Sequence, residues 1–495
     1  DVTTFANGAA WSATQPYTIT YRPYMTAISG VGQDLEARAT RTAMSGISFT
    51  VLDTAGGWLT AYLKRAGRAV RRKSAYVFLG FDEILEEDYE LVMNGAVESI
   101  DPLRARGYEI RIGDAVRFAR TSIQLGSTTL STTITNASTT IEVASLYNFG
   151  ARTTAKGLSG ASAGGYFRID DEIVSYDGVQ ASPVAFTNCL RGRFGTAAAA
   201  HTAGAQIKEV FADLNVNPID FMLKLLMSSA GGLTTHATYD TFTRYTADNG
   251  STFDGRGAAV ALADIDLTEI LDVQADHYST YLGDFLILDS IDDLKDWIEE
   301  NILRSLGAFF YTRTDGRLAI GTWHTPSTTG ATTIATADQA QPEPAVDYSK
   351  IINAIEVRYD LNPITGEYAF REVFEEINSG RDHGAAPVLR IDSPWLRTNG
   401  IQSGSAFSPT PGAIATALKT LLFARFKDPQ DIVSTAVSLA KWQQEMAAGV
   451  VYEHEEMPDL QQGFRGLQGE AVQIIGRALD VKRARVALKL LRAPV

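Results

Sequence analysis

The stretch 165–210, GYFRIDDEIVSYDGVQASPVAFTNCLRGRFGTAAAAHTAGAQIKEV, leaves little freedom for anything but a small β-fold. Apolar and β-branched residues at 166–169 and 172–176 predict two short strands. Asp170-Asp171 separates them, and Asp177-Gly178 follows the second, both good turn pairs. A third strand is expected at 186–190. Arg191-Gly192-Arg193-Phe194-Gly195-Thr196 then reads as a glycine-punctuated corner. The alanines that follow predict one helical turn over 197–201, and 206–210 returns as a strand. The chain must therefore reverse several times within one self-contained β-module.

The wording of this module resembles a known one. IDDEIVSY followed by LRGRFGTAAAAHTAGA is similar to a unit that recurs in tail-tip and baseplate proteins of tailed bacteriophages. There a strand ending in I-(D/G)-D-E precedes R-G-x-x-G-T-x-A-A-x-H-x-x-G. The close match covers about a tenth of the chain. Because the unit travels between several tail proteins, it points to the assembly rather than to one subunit.

A chain of 495 residues has length for roughly three to four domains. Its hydrophobic content of 45% supplies several cores. A net charge of −14 argues against a groove that grips nucleic acid, which needs a basic face. It is compatible with an acidic channel that lets DNA pass without holding it. Cys189 is the single cysteine, so no intrachain disulfide is expected. No apolar run approaches the ~18 residues of a membrane span. The opening residues Asp1-Val2-Thr3-Thr4 carry no signal-peptide pattern, so synthesis in a cytosol is expected, which fits a virion component assembled in a host cytoplasm and equally a cytosolic enzyme.

Read in order, the chain predicts a mainly β, α+β multidomain protein. Residues 1–121 are β-rich, with period-two alternation at Tyr17, Ile19 and Tyr21 and at Ile47, Phe49 and Val51. Between strands lies a basic, partly helical segment with Lys64, Arg65, Arg68, Arg71, Arg72 and Lys73. It reads as a solvated helix face, or else as a docking patch for an acidic neighbour. Residues 122–211 form the inserted β-module. Residues 212–349 hold a helix opening at Asn217-Pro218 and a second starting at Ser290, with Asp293 as a capping-box-like mate. A β-hairpin around Thr314-Asp315-Gly316 follows, and 337–349, with Pro342 and Pro344, reads as a linker. Residues 350–495 are again β, with one helix at 413–424.

Candidate chemistry is sparse. His201, His236, His277, His324, His383 and His454 have no metal-ligand spacing, and His454-Glu455-Glu456 reads as a surface cluster. Gly160-Ala161-Ser162-Ala163-Gly164 matches G-x-S-x-G, but a loop precedes it and a strand follows, the reverse of a nucleophile elbow. Asp170, Asp171, Glu172 and Asp177 are turn residues, with Ca²⁺ ligation as the alternative. Glu86-Glu87 and Glu375-Glu376 are the acidic pairs that a glycosidase reading would need. Trp11, Tyr17, Tyr21 and Tyr24, or Trp323 and Trp395, are the aromatics a sugar site would need, and core packing is their default. No catalytic, cofactor-binding or metal residue is assigned, and no enzyme activity or cofactor is expected.

Two further stretches carry the family resemblance. The order GISFTVLDTAGG, VFLGFD, YELVMNGAVESI, GYEIRIGDAVRFA, and the passage SIDDLKDWIEENILRSLGAFFYTRTDGRLAIG, resemble tail hub proteins. The resemblance implies two tube-forming β-barrels, 1–121 and 350–495, an inserted module projecting outward and a bracing α+β domain. It implies a homotrimer in the virion, at the tail tip or baseplate. There it would join a distal tail or tube protein to a central fibre or tip protein and let DNA through. A distal tail ring or receptor-contacting tip protein of the same assembly is one alternative. A carbohydrate-binding or polysaccharide-degrading protein is another.

Overall fold

The computed structural model describes residues 2–5, 17–20, 25–29, 32–36, 41–53, 57–65, 73–79, 89–104, 107–113, 122–146, 149, 165–227, 244–246, 252–254, 257–258, 260, 262–328, 330–401, 403–441, 443–459, 463–480, 483 and 485–492. The chain is mainly β, with several curled half-barrel sheets and few helices.

The first large sheet is antiparallel, in the order Met25–Ile28, Ile47–Leu52, Gly107–Gly113, Glu90–Leu103, Ser74–Leu79. Alternation sends Ile47 and its partner Ile112 inward, while Ser48 and Arg111 share the opposite face. The helix Trp58–Arg65 begins where Asp53 accepts hydrogen bonds from the Leu59 and Thr60 amides at 3.0 and 3.2 Å.

In the 122–211 stretch, Ser127–Thr129, Gln206–Val216, Gly165–Ile169, Glu172–Tyr176 and Leu190–Arg193 pair in that order. A smaller sheet of Ile141–Glu142, Val184–Thr187 and Gly178–Ala181 covers them. Phe186 fills the space between, with ring centroids 4.6 Å from Phe167 and 4.5 Å from Tyr176. The strand expected at 186–190 is in fact two strands, broken at Asn188 with φ of 53°. That left-handed residue carries the chain from the small sheet to the large one. The helical turn expected at 197–201 is also absent. The Ala199 carbonyl accepts from Arg191 and its amide donates to Glu172, so neither group is free for a helix.

The strand Gln206–Val216 runs on out of this module. Its second half pairs with Gly283–Ile287, beginning at Phe211 opposite Ile287. Helix Pro218–Met227 follows, its apolar residues fully buried. Leu294–Ile298 continues through a π-helical turn, Glu299–Leu303, to Arg304–Leu306. Gly307, at φ 65°, ends it in the left-handed cap that glycine tolerates. The N-cap is Asp293, which accepts from the Asp296 amide at 3.1 Å. Ser290, expected to start this helix, instead accepts from the Leu125 amide at 3.0 Å.

The next element organises the rest. Ala308–Thr312 and Leu318–Thr322 form an antiparallel hairpin buried on both faces. Phe309, Tyr311 and Ala319 enter the core beneath the large sheets. Ala308, Phe310, Leu318 and Ile320 enter the core of the helical part. The hairpin is thus a septum between two cores, which explains a sequence that is apolar on both faces rather than alternating.

The second large sheet is built from both ends of the chain. Its order is Thr333–Ile334, Gly449–Asp459, Phe464–Asp480, Arg485–Arg492, Gln430–Ser438, Gln339–Asp347, and Gly32–Glu36 also pairs with Phe464–Asp480. The expected linker at 337–349 is therefore corrected to a strand. Pro342 and Pro344 fit because Gln339–Asp347 lies at the sheet's edge, where a missing N–H costs no ladder bond. A third, small sheet joins Tyr368–Glu375, Ala354–Leu361 and Leu389–Asp392, and helix Pro411–Phe426 packs near it.

Trp395 sits fully buried, its ring 5.7 Å from Phe285 and its Nε1 donating to Ser305 Oγ at 2.9 Å. Trp395→Ala is expected to cost about 3–5 kcal/mol, read as a lower urea midpoint.

Candidate functional site

The residues of the sequence motif converge on one carboxylate. Glu172 begins its strand at 1% exposure. Arg191 grips it with Nε at 2.7 Å and Nη2 at 2.6 Å, a two-pronged guanidinium–carboxylate pair. The Gly192 and Ala199 amides donate to the same carboxylate at 2.9 and 3.0 Å. His201 lies between Glu172, 2.9 Å from Nε2, and Asp170, 2.7 Å from Nδ1. Arg191 also donates to the carbonyls of Thr135 and Ala199. Burial alone would raise the Glu172 carboxyl. The donors from Arg191, Ala199, His201 and Gly192 outweigh it and hold the group below its ordinary value. The motif is thus a latch that ties three chain segments together. Nearby Cys189 is buried, and burial pushes its thiol up to about 12 against the opposing pull of Arg191, which makes it a poor nucleophile.

A second cluster surrounds the hairpin tip. The Thr312 carbonyl accepts from Gln33 at 2.8 Å and from Arg477 at 3.1 Å, so the strands Gly32–Glu36 and Phe464–Asp480 meet on one oxygen. Glu445 accepts from the Thr314 amide at 3.0 Å and lies 3.3 Å from Arg477. Asp266 sits 3.0 Å from both Arg313 and Arg317. Glu269 takes bonds from Tyr311 and Arg313; its burial nevertheless raises its carboxyl above the ordinary value. At the apex, Gly316 has φ of 85°, and a Cβ there would lie 2.4 Å from Asn94 Cβ and 2.5 Å from the Asn94 carbonyl oxygen. The hairpin tip is therefore seated directly on the strand Glu90–Leu103.

A third feature is a solvent-open groove of about 690 Å³ across the second large sheet. Gly32, Ala478, Ala487, Ala436 and Ala340 lie opposite one another on successive strands and floor it. Asp34 and Lys489, 3.3 Å apart, and Glu343 stand along it.

The remaining candidates separate. Glu172 is fully engaged in the latch, while Asp170 and Asp171 have side chains 61% and 83% exposed. Among the described residues no group of three or more His, Cys, Asp or Glu is placed to hold a metal ion. His454 and Glu456 interact within one exposed strand segment. His383 lies 3.5 Å from Asp428. Glu375 ends a strand, and Glu376 precedes the helix Ile377–His383. Trp323 and Trp395 are core residues at 1% and 0% exposure, far from a sugar platform. His236, Glu86-Glu87, residues 160–164, Trp11, Tyr21 and Tyr24, and Arg68, Arg71 and Arg72 of the basic segment lie outside the described residues. Tyr17 begins a short strand paired to Phe5, and Lys64 is exposed on its helix. Sequence reasoning had Arg191 and His201 inside the motif but did not see that both serve Glu172. The recurrence of E, R and H in the family pattern was the available signal.

No family model matches the chain, and no curated protein matches it by sequence. Solved structures that align with it include the 43 kDa tail protein of prophage MuSo2 from Shewanella oneidensis, at 9% identity and a TM-score of 0.38, covering 97% of this chain and 96% of that one. Prophage tail protein gp18 from Listeria monocytogenes EGD-e aligns at 9% identity and 0.32, covering 97% and 91%. The tail protein from Neisseria meningitidis MC58 aligns at 8% and 0.38, covering 97% and 94%. Among the described residues no helix is long and apolar enough to cross a membrane.

Proposed function

We propose that the chain is a structural subunit of a phage tail tip or baseplate, a hub that trimerises and closes or joins the tail tube. The observation that carries the reading is the latch. Every charged residue of the IDDE…RGRFGT…H pattern except Asp171 and Arg193 bonds within one buried cluster. The motif that resembles tail proteins is therefore a folding signature of a whole module, not a chance run of letters. Two curled sheets sharing one core supply the walls that a tube-forming subunit needs. The first holds the strands 25–28, 47–52, 74–79, 90–103 and 107–113, and the second combines strands 32–36 and 41–45 with strands from 333 to 492. Under this reading the work is done by interfaces, with no bond made or broken, and DNA passes an acidic wall without being held. The inserted module projects outward, and the helical part with the 308–322 hairpin braces the two walls, while 339–347 belongs to the second wall itself.

Light scattering across a concentration series tests it. A trimer is the expected result. A hexamer would move the assignment to a ring of the tube, and a monomer at every concentration, together with failure to join a tube protein, would remove the hub reading.

A further inference from the structure

His277 and His324 come from different elements and lie face to face. Their ring centroids are 3.8 Å apart and their planes differ by 7°. His277 belongs to the π-helical segment Gln274–Tyr278; His324 follows the hairpin strand Leu318–Thr322. Both rings are half-buried. Tyr278 closes one side, at 5.9 Å from His277 and 6.3 Å from His324. Its hydroxyl is committed to the Leu306 carbonyl at 2.9 Å, so it offers the rings no counter-charge.

The charges around the pair are few. Asp276, on the same segment, pulls on His277. The charge that acts on His324 is that of His277. On and just before the helix Pro218–Met227, Asp220 accepts from Gln274 and Asn217 donates to the Tyr278 and Tyr281 carbonyls. Tyr281, neutral near pH 7, is raised further by burial. Stacking at this distance tolerates two neutral rings, or one charged ring on a neutral one. Two imidazolium ions 3.8 Å apart in a half-buried site with one exposed carboxylate repel each other.

We propose that the His277–His324 stack is an acid-opened clasp between the π-helical segment and the exit of the hairpin. At neutral pH the neutral rings hold the two elements together. As pH falls, protons bind preferentially to the open form, in which the rings are separate and in water. The sign follows from the folded state. Burial, and then His277, hold His324 down at about 4, and burial holds His277 below its ordinary value despite Asp276. The clasp therefore contributes fully above about pH 6.5 and is lost as pH falls from there toward 4. The segment it frees leads from Trp323 into Thr333–Ile334, a strand of the second large sheet.

The test is amide hydrogen exchange on the whole protein at pH 7.5 and 5.0, corrected for intrinsic rates, read at 274–278 and 322–334. The expected result is about a tenfold rise in opening at pH 5.0 in the unmodified protein. In His324→Gln, and separately in His277→Gln, that rise should be reduced or gone. The helix Pro411–Phe426, which carries no histidine or carboxylate, serves as the internal reference and should not change. Opening that is the same at both pH values would overturn the proposal. So would a full rise that survives in both variants.

Discussion

Glu172→Gln is expected to unlatch the inserted module and cost about 3–5 kcal/mol, the range for removing one partner of a buried ion pair. The amide keeps the size of the carboxylate but not its charge. Arg191, with a side chain 6% exposed, would then be an uncompensated cation. An amide also has one acceptor oxygen, whereas the carboxylate accepts from Arg191, Gly192 and Ala199 with two. Denaturant unfolding followed by exchange at 165–210 should show this region losing protection first, with the 308–322 hairpin intact. Replacing both partners, Glu172→Leu with Arg191→Met, should restore part of the loss, because an apolar pair leaves no stranded charge. The pH dependence has a definite sign. The native carboxyl lies below its ordinary value of 4.5, so its contribution is present above that pH and disappears as acid protonates it. Module unfolding that begins well above pH 5 would contradict the assignment.

Gly316→Ala should detach the first large sheet from the rest. The added Cβ meets Asn94 at 2.4 Å, and the φ of 85° is itself unfavourable for any residue but glycine. Strain and overpacking together come to about 2–4 kcal/mol. The readout is local. Strands Ser74–Leu79 and Glu90–Leu103 should become susceptible to protease, while residues 165–210 stay protected. Asn94→Gly in the same background removes the Cβ being struck and should recover part of the loss. If Gly316→Ala leaves those strands protected, the hairpin tip does not seat the sheet.

Much of the architecture was legible because alternation is a direct consequence of pleating. Ile47 to Val51 and 485–490 could be read from period two alone, and the 308–322 hairpin from its Thr314-Asp315-Gly316 turn. Failures came where a distant partner overrides local preference. Pro342 and Pro344 look like a linker until one knows that Gln339–Asp347 lies at an edge. Four alanines favour a helix, yet Ala199 is held straight by Glu172 and Arg191. Ser290 looks like a cap, but Leu125, 165 positions away, claims its hydroxyl. The latch was half legible. Its residues were visible as a pattern, whereas their convergence on one carboxylate is a fact of three dimensions. The Gln33–Thr312–Arg477 junction left no trace in composition or spacing.

That junction bears on how the chain is made. The strand Gly32–Glu36 pairs with residues 476–478, and Gln33 shares its acceptor with Arg477. A ribosome emits the first of these strands hundreds of residues before the second exists. Until residues 476–478 have been made, Gly32–Glu36 and its mate Arg41–Ser45 have no completed sheet to join. Their open edge is then a liability to be shielded by chaperones or by fast release. A nascent chain stopped short of residue 476 has the inserted module's local pairings within reach, but not the wall shared by its two ends. Completion of the second sheet thus reports that translation has passed residue 478, more than four hundred positions beyond the strand it captures.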